Sequence, residues 1–259
     1  MNKSEKINNI LKSSMKEKAF GREHYLPDKK DSLLDPQRFF QKFPRVYRVI
    51  RAILNPVWKE KNWKKVMPSP HTHVVINLGA GTARLHPEMI NMEFVKFENI
   101  DIVADLEKLP LPLKDNSVDG VMSRYVFEHI KNPEAVLEEV KRVLKPNGKL
   151  FLVVPFIYPF HEAPADFRRW SVLGLKYFVI KDFKVIEAGN RGGPFAILIL
   201  TVSHMLGQLF SFGSNRLYSI VNYSTMGILF PLKYLDAIFS ILPFGTNLTP
   251  SVYVIAKKK

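Results

Sequence analysis

Short apolar runs, separated by turn-forming residues, divide most of the chain into predicted strands. The first run, residues 74–78, is almost wholly apolar and rich in β-branched side chains. Such a run is typical of a strand that is covered on both faces. Later runs predict strands at residues 90–93, 101–106, 118–124, 149–154, 183–187 and 252–256. The pattern therefore predicts an α/β fold.

Between two of these strands, the apolar spacing changes from that of a strand to that of a helix. Asn132, Pro133 and Glu134 combine a capping side chain, a first-turn proline and an early acid, which are typical of a helix start. The apolar residues that would share one face of this helix are Val136, Leu137, Val140, Val143 and Leu144. Spacing of this kind predicts an amphipathic helix that packs on the sheet.

The first predicted strand leads directly into a glycine turn. Gly79 and Gly81 allow a sharp turn and a close approach of the backbone to a ligand. In open α/β sheets this turn lies at the carboxyl edge, where nucleotide-like ligands bind. Glu93 ends the second strand, where a carboxylate can accept hydrogen bonds from ribose hydroxyls.

An ordered series of motifs resembles the class I S-adenosylmethionine-dependent methyltransferases. The matching segments are residues 77–81 (Asn-Leu-Gly-Ala-Gly), Glu93, and residues 105–110, 117–119, 127–129 and 142–148. Residues 160–170 also resemble a Phe-His-x-x-Pro-x-Asp-Phe-Arg-Arg-Trp block, which is common in the type 11 branch. The resemblance implies a Rossmann-like seven-stranded sheet, mostly parallel with an antiparallel last strand, and S-adenosyl-L-methionine as the cofactor.

The resemblance places the cofactor at the glycine turn and at the ends of the following strands. The implied cofactor-binding residues are Asn77, Gly79, Ala80, Gly81, Thr82, Glu93, Asp105, Leu106 and Ser123. Arg84 stands where a dinucleotide fingerprint has its third glycine, which argues against a nicotinamide cofactor. Only eight residues separate Gly81 from Ile90, and Pro87 is among them. We therefore expect no full crossover helix there and a more open cofactor pocket on that side.

Candidate catalytic residues follow the fourth and fifth strands at the same carboxyl edge. They are His161, Asp166 and His129. A hydroxyl acceptor benefits from a base that removes its proton, although His129 also fits a structural role at a helix start. The candidate substrate-binding residues are Tyr158, Arg168, Arg169 and Trp170. The two arginines could bind a phosphate or carboxylate, or one of them could pair with Asp166.

Charge and composition limit the possible partners. The chain has 259 residues and a net charge of +14, distributed as +10 over residues 1–66, −2 over 67–150 and +6 over 151–259. The slightly acidic central region argues against nucleic acid as a partner. Because there is no cysteine and the histidines lack metal-ligand spacing, we expect neither disulfides nor a metal site.

These patterns divide the chain into four regions. They are a basic helical arm or lid (1–66), the S-adenosylmethionine-binding core (67–190), an apolar helical insertion (191–248), and the last strand with a basic tail (249–259). Residues 45–54 have helical spacing and precede Trp58 and Trp63. They predict either a lid over the cofactor cleft or an interfacial helix with aromatic anchors.

The insertion is the least typical part of the chain. Residues 192–215 contain no charged side chain, and this stretch is long enough to cross a bilayer. Three interpretations fit it: a membrane hairpin, an apolar surface lying on an anionic membrane, or a substrate lid or homodimer face. The polar amino terminus lacks the apolar core of a secretory signal, so we expect a cytoplasmic protein, peripheral at a membrane.

The sequence therefore predicts a methyltransferase acting at the cytoplasmic face of a membrane. The expected reaction is O-methylation of a small or lipid-linked acceptor, such as a glycan or isoprenoid carrier. One alternative is a nicotinamide-dependent oxidoreductase, which would share the first strand and the glycine turn. Another is a non-catalytic membrane-associated adaptor that keeps the fold but does not bind S-adenosylmethionine.

Overall fold

A computed structural model of the chain describes residues 2–11, 49–50, 52–58, 62–82, 84–161, 165–243 and 247–259. Its centre is a seven-stranded sheet in the order β3-β2-β1-β4-β5-β7-β6. The strands are β1 (Val75–Leu78), β2 (Ile90–Glu93), β3 (Ile102–Val103), β4 (Val118–Arg124), β5 (Leu144–Pro155), β6 (Phe183–Arg191) and β7 (Ser251–Lys258). Only β7 is antiparallel to its neighbours, so the predicted fold class is confirmed.

Three strands differ clearly in length from the prediction. β3 has two residues because the Asp105 side chain accepts a hydrogen bond from the Glu107 backbone N–H at 3.0 Å, which turns the chain out of the sheet. β5 begins five residues early, since Leu144 already pairs with Val118 before the register shifts. β6 begins as predicted but extends to Arg191, and the other four strands lie where the apolar runs predict them.

In the described part of the chain, the helices are α1 (Lys3–Ile10), α2 (Trp63–Val66), α3 (Pro133–Val143), α4 (Val172–Ile180), α5 (Pro194–Leu209), α6 (Asn215–Leu229) and α7 (Asp236–Phe239). Short 3-10 helices span Phe127–His129 and Phe230–Leu235. α3 matches its prediction, because the Asn132 side chain caps its amino end and all five predicted apolar residues are buried. Their burial against the sheet is the main reason that this helix is stable.

The expected lack of a full helix between β1 and β2 is confirmed for the described residues, since residues 82 and 84–89 contain turns and no helix. The sheet face on that side is covered instead by residues of the amino-terminal region, namely Trp63, Val66 and Met67, together with Leu85. Arg84, at the third-glycine position, donates hydrogen bonds to Asp101 and to the Asn99 carbonyl. It thereby ties this connection to the segment before β3.

The insertion consists of α5, α6, the second 3-10 helix and α7. The Asp236 carboxylate accepts hydrogen bonds from the backbone N–H groups of Phe195 (2.9 Å) and Ala196 (3.2 Å), and it thereby caps α5. Within the described part of the chain, no helix has both the length and the apolarity needed to cross a membrane. Of the predicted helix at 45–54, residues 49–50 and 52–54 are helical, and the remaining positions lie outside the described residues.

Candidate active site

The first cavity lies at the carboxyl edge of the sheet and has a volume of about 200 Å³. Five of the predicted cofactor-binding residues line it, namely Gly79, Gly81, Glu93, Asp105 and Leu106. The sequence did not indicate the remaining lining residues as cofactor contacts; they are Met92, Phe94, Ala104, Glu107, Tyr125, Val126, His129 and Ile130. Most of these are apolar residues that cannot be told from ordinary core residues by sequence, whereas Glu107 and His129 lie in the matched segments 105–110 and 127–129.

The glycine turn leaves open space above Gly81. Both glycines have positive φ, +64° at Gly79 and +55° at Gly81. A Cβ at Gly81 would meet nothing within 4 Å among the described residues, whereas a Cβ at Gly79 would lie 2.2 Å from a methyl group of Val126. The backbone at Gly81 is thus open to a ligand in the cavity.

Glu93 joins the glycine turn to the end of β2. Its Oε2 accepts a hydrogen bond from the Gly81 N–H, and its Oε1 accepts one from the Phe94 N–H, both at 2.8 Å. Burial raises the pKa of Glu93, and these backbone hydrogen bonds oppose the rise. A carboxylate can accept about four hydrogen bonds, so the group can still accept one from a ribose hydroxyl.

Four predicted cofactor-binding residues do not line this cavity. The Asn77 amide donates to Asn91 at 3.4 Å, and the Ser123 hydroxyl donates to the Leu78 carbonyl at 3.3 Å. Both side chains are buried within the sheet. Ala80 and Thr82 belong to the glycine turn but are absent from the lining. These four residues therefore shape the edge of the sheet rather than the cavity surface.

A second cavity, of about 350 Å³, adjoins the first. Tyr125, which follows β4 with φ of +57°, lines both cavities. Of the predicted catalytic and substrate-binding residues, Tyr158 and His161 line the second cavity. The other lining residues are Asn55, Pro56, Val57, Arg124, Arg191 and Pro250. Residues 55–57, which follow the predicted helix at 45–54 in the amino-terminal region, thus form part of the wall of this cavity.

Two arginines that the sequence did not single out supply positive charge to the second cavity. Arg191 is buried and donates hydrogen bonds to the hydroxyls of Tyr125 and Ser251. Arg124 ends β4. They line the cavity, whereas Arg168 and Arg169 line neither cavity. No local motif indicates this because the sheet brings together residues that are far apart in sequence.

The loop after β5 is held by an ion pair. Asp166 and Arg169 form a two-pronged pair, with Arg169 Nη2 donating to Asp166 Oδ2 at 2.6 Å. This pairing holds the pKa of Asp166 at about 2, well below its ordinary value. Arg169 also donates to the carbonyls of Tyr158 and Pro159. The structure thus favours the alternative in which one arginine pairs with Asp166.

The other two predicted substrate-binding residues, Arg168 and Trp170, line neither cavity. Arg168 donates to the Lys131 carbonyl at 2.9 Å, and its guanidinium lies 5.8 Å from the ring centroid of Trp170. Trp170 packs against the main core. Both residues anchor the loop that carries His161.

The imidazoles of His129 and His161 meet between the cavities, with ring centroids 5.1 Å apart. The His129 Nδ1 bonds to the Ala165 carbonyl, and the His161 Nδ1 lies 3.1 Å from the Pro159 carbonyl. Burial lowers the pKa of His129, which keeps it neutral near pH 7. Glu128 lies beside both rings, and burial raises its pKa to about 8. Glu128 lies within the matched segment 127–129, but the sequence did not indicate it as a site residue, because it precedes His129 inside an apparent helix start.

Comparisons with known proteins agree with this arrangement. Residues 78–152 match the family model for the type 11 methyltransferase domain. An uncharacterized methyltransferase-like protein of Schizosaccharomyces pombe is 37% identical over 99 residues, which are 32% of this chain and 38% of the relative. A 2-phytyl-1,4-naphtoquinone methyltransferase of Synechocystis is 32% identical over 81 residues, which are 31% of this chain and 34% of the relative. The chain thus aligns with less than two fifths of either relative's length.

The fold is also that of a solved methyltransferase structure. It is phosphoethanolamine N-methyltransferase 2 of Haemonchus contortus, in complex with phosphomonomethylethanolamine and S-adenosylhomocysteine. The TM-score is 0.50 and the identity 16%, over 76% of this chain and 51% of that chain. The domain match confirms the resemblance to class I S-adenosylmethionine-dependent methyltransferases, and the shared fold agrees with it. The cofactor that this class uses is S-adenosylmethionine.

Proposed function

We propose that the chain transfers a methyl group from S-adenosylmethionine to a hydroxyl group of an acceptor in the second cavity. The observation that carries the proposal is that Tyr125 lines both cavities, so one side chain lies between the cofactor and acceptor spaces. The cofactor supplies an electrophilic methyl group. The chain's own contribution is to align the acceptor and to exclude water, which are the main requirements of an in-line displacement.

The lining of the second cavity supports an acceptor that carries an acidic group. Arg124 and Arg191 place two cations in its wall, and guanidinium groups suit phosphate and carboxylate. Burial raises the pKa of Tyr158 to about 12, so its phenol stays neutral at pH 7. His161 is therefore the candidate in this cavity that activates the acceptor hydroxyl.

The insertion supports an acceptor with an apolar tail. Tyr158 lines the second cavity and packs against Ile199, Leu200 and Met226 of α5 and α6. The outer faces of the insertion expose large apolar side chains, including Leu209 (63%), Phe212 (86%) and Ile228 (77%). No acidic residue occurs between Glu187 and Asp236. A lipid-linked acceptor in an anionic membrane would meet this surface beside the cavity.

A second reaction, C-methylation of a quinone ring, is favoured by one observation. The Synechocystis relative is named a 2-phytyl-1,4-naphtoquinone methyltransferase, and its acceptor therefore has an apolar tail. The cationic wall of the second cavity favours the acidic, hydroxyl-bearing acceptor instead. Both candidates use the same cofactor site and differ in the acceptor and in the atom that is methylated.

The test uses purified protein, methyl-labelled S-adenosylmethionine and three acceptors: a polyprenyl-phosphate-linked sugar, the free sugar phosphate and a prenylated naphthoquinol. We expect label in the lipid-linked sugar, as an ether that mass spectrometry identifies. His161→Ala should lower turnover by about 10²-fold or more and leave cofactor affinity unchanged, because His161 lies outside the first cavity. His73→Ala, which removes an exposed histidine, is the control.

Calorimetry with S-adenosylmethionine and NAD separates the remaining alternatives. Binding of NAD in place of S-adenosylmethionine would favour an oxidoreductase. A folded protein that binds neither would be an adaptor, and the methyltransferase proposal would be withdrawn. Label on a ring carbon of the naphthoquinol would replace O-methylation with C-methylation.

A further inference from the structure

A buried carboxylate lies between the two cavities. Glu128 is 0% exposed, and among the residues that the structure describes neither of its side-chain oxygens has a hydrogen-bond partner. Leaving a buried carboxylate without a partner is costly, and such groups in proteins are usually paired or bound to a metal. Glu128 therefore needs an explanation that the fold alone does not give.

Two imidazole nitrogens lie next to this carboxylate. The Nε2 atoms of His129 and His161 are 3.7 and 3.9 Å from Glu128 Oε1, which is too long for a hydrogen bond. The Nδ1 of each ring contacts a backbone carbonyl, that of Ala165 for His129 and that of Pro159 for His161. Since a carbonyl only accepts, each Nδ1 donates its proton, and in the neutral rings the lone pair is on Nε2.

We propose that Glu128, His129 and His161 form a binding site for a divalent transition-metal ion of the zinc type. Their donor atoms all lie within 4.8 Å of one another. Metal–ligand bonds of about 2.0–2.2 Å place neighbouring ligand atoms roughly 3–3.5 Å apart, so small side-chain rotations complete the site. Donation of the other ring N–H to a carbonyl is also the usual arrangement of metal-binding histidines.

The donor set selects the kind of metal. Two imidazoles and one carboxylate suit zinc and its first-row neighbours, whereas magnesium and calcium prefer oxygen ligands. Sequence spacing gave no sign of the site, since Glu128 and His129 are adjacent and His161 follows only after α3 and β5. The sheet brings the ligands together because both loops follow the carboxyl ends of neighbouring parallel strands.

The position of the site indicates its role, and this step rests on the proposed methyl transfer. His129 lines the cofactor cavity and His161 lines the acceptor cavity. Three protein ligands leave a coordination position open, which an acceptor hydroxyl can occupy. Coordination lowers the pKa of that hydroxyl, its proton leaves to solvent, and the oxygen stays bound to the metal as an anion. His161 then acts by holding the metal.

The test is calorimetry of untagged, EDTA-dialysed protein with ZnCl₂, together with the visible absorption spectrum after addition of CoCl₂. We expect one equivalent of zinc to bind the wild type, and cobalt to give the absorption bands of a site with low coordination number. Glu128→Gln and His161→Gln should each weaken zinc binding by about tenfold or more. His73→Gln changes an exposed histidine outside the cluster and should bind zinc like the wild type.

Cofactor titrations of the same metal-free samples keep the two proposals distinguishable. Neither Glu128 nor His161 lines the cofactor cavity, so S-adenosylmethionine should bind the wild type and both variants with similar affinity, which also shows that the variants fold. If the wild type does not bind zinc, or if all four proteins bind it equally, the metal site is overturned and the methyltransferase proposal stays intact. Loss of S-adenosylmethionine binding in the wild type overturns the proposed function instead.

Discussion

Gly79 and Gly81 are both in the left-handed region, but the surroundings require glycine for different reasons. At Gly79 the side chain of Val126 occupies the space that a Cβ would need. At Gly81 the space is open, and its N–H is bonded to Glu93. Gly79 therefore allows Val126 to pack against the turn, and Gly81 leaves room for a ligand. Glu93 connects this turn to the ribose-binding role expected from the sequence.

The first prediction concerns Glu93. Glu93→Ala should weaken S-adenosylmethionine binding by about 1.5–3 kcal/mol, the usual range for a lost hydrogen bond to a charged group. Calorimetry on the folded variant is the measurement. Glu98→Ala is the control, because Glu98 is an exposed glutamate that lines neither cavity. Equal affinity of Glu93→Ala and wild type would remove Glu93 from the cofactor site.

At the scale of elements, ion pairs around Asp101 hold the connection between β1 and β2, whose described residues contain no helix. The Asp101 carboxylate forms ion pairs with Lys3 of α1 at 2.7 Å and with Arg84 at 3.2 Å. It also accepts a hydrogen bond from the Asn91 backbone N–H at 2.8 Å. These contacts join the amino-terminal helix, the connection between β1 and β2, and β2 itself. Burial raises the pKa of Asp101, but these hydrogen bonds outweigh that effect and the net pKa is below its ordinary value.

The second prediction follows from that pKa. A carboxyl with a lowered pKa in the folded state contributes stability above its unfolded pKa of about 4 and loses it as the pH falls through the folded value. Asp101→Asn should therefore lower the free energy of unfolding by about 1.5–3 kcal/mol at pH 7, and less below pH 4. Urea unfolding at pH 7 and pH 3.5 is the measurement.

The control for this prediction is Asp115→Asn. Asp115 also pairs with an arginine, Arg142, but its side chain is 67% exposed. Exposed ion pairs contribute little to stability, so Asp115→Asn should change the free energy of unfolding by no more than about 1 kcal/mol at either pH. An Asp101→Asn effect that does not shrink at low pH would show that the charge of Asp101 is not what stabilises the connection.

At the scale of the whole molecule, the appended regions take part in the core and the second cavity. Ile10 of α1 belongs to the main core, and the Lys6 ammonium is buried against the carbonyls of Pro70 and His71. Lys233 of the insertion donates to the carbonyls of Ala52 and Asn55. The amino-terminal region thus lines the second cavity through residues 55–57, and Lys233 ties the insertion to that segment. The insertion's outer apolar face stays exposed.

The third prediction concerns that outer face. The wild type should co-sediment with phosphatidylglycerol vesicles at low salt, less so at high salt because anionic attraction is screened. Leu209→Asp with Phe212→Asp should reduce the bound fraction about tenfold or more, since each places a charge in the inserting surface. These residues are 63% and 86% exposed, so the fold and cofactor binding should be retained.

The matched control substitutes apolar residues that are equally exposed outside the insertion. Leu173 and Tyr177 on α4 are 74% and 84% exposed. Leu173→Asp with Tyr177→Asp should bind vesicles like the wild type. If the wild type stays in solution at low salt, the apolar face is covered by a second copy of the chain, and sedimentation equilibrium should then detect a homodimer.

The sequence by itself determined the sheet, the glycine turn and the acid at the end of β2. These features depend on local chemistry: apolar runs, positive φ and helix caps are set by neighbouring residues. The absence of a full helix between β1 and β2 was also predictable, because chain length alone limits it.

The tertiary structure alone decided which side chains share a cavity. Arg124 and Arg191 lie in no motif, and only the parallel arrangement of β4 and β5 with the return of β6 and β7 brings their strand ends together. The same packing turned Arg168, Arg169 and Trp170 toward the loop and the core. Side-chain direction at the end of a strand depends on residues distant in sequence, and for that reason local patterns did not determine the acceptor side of the site.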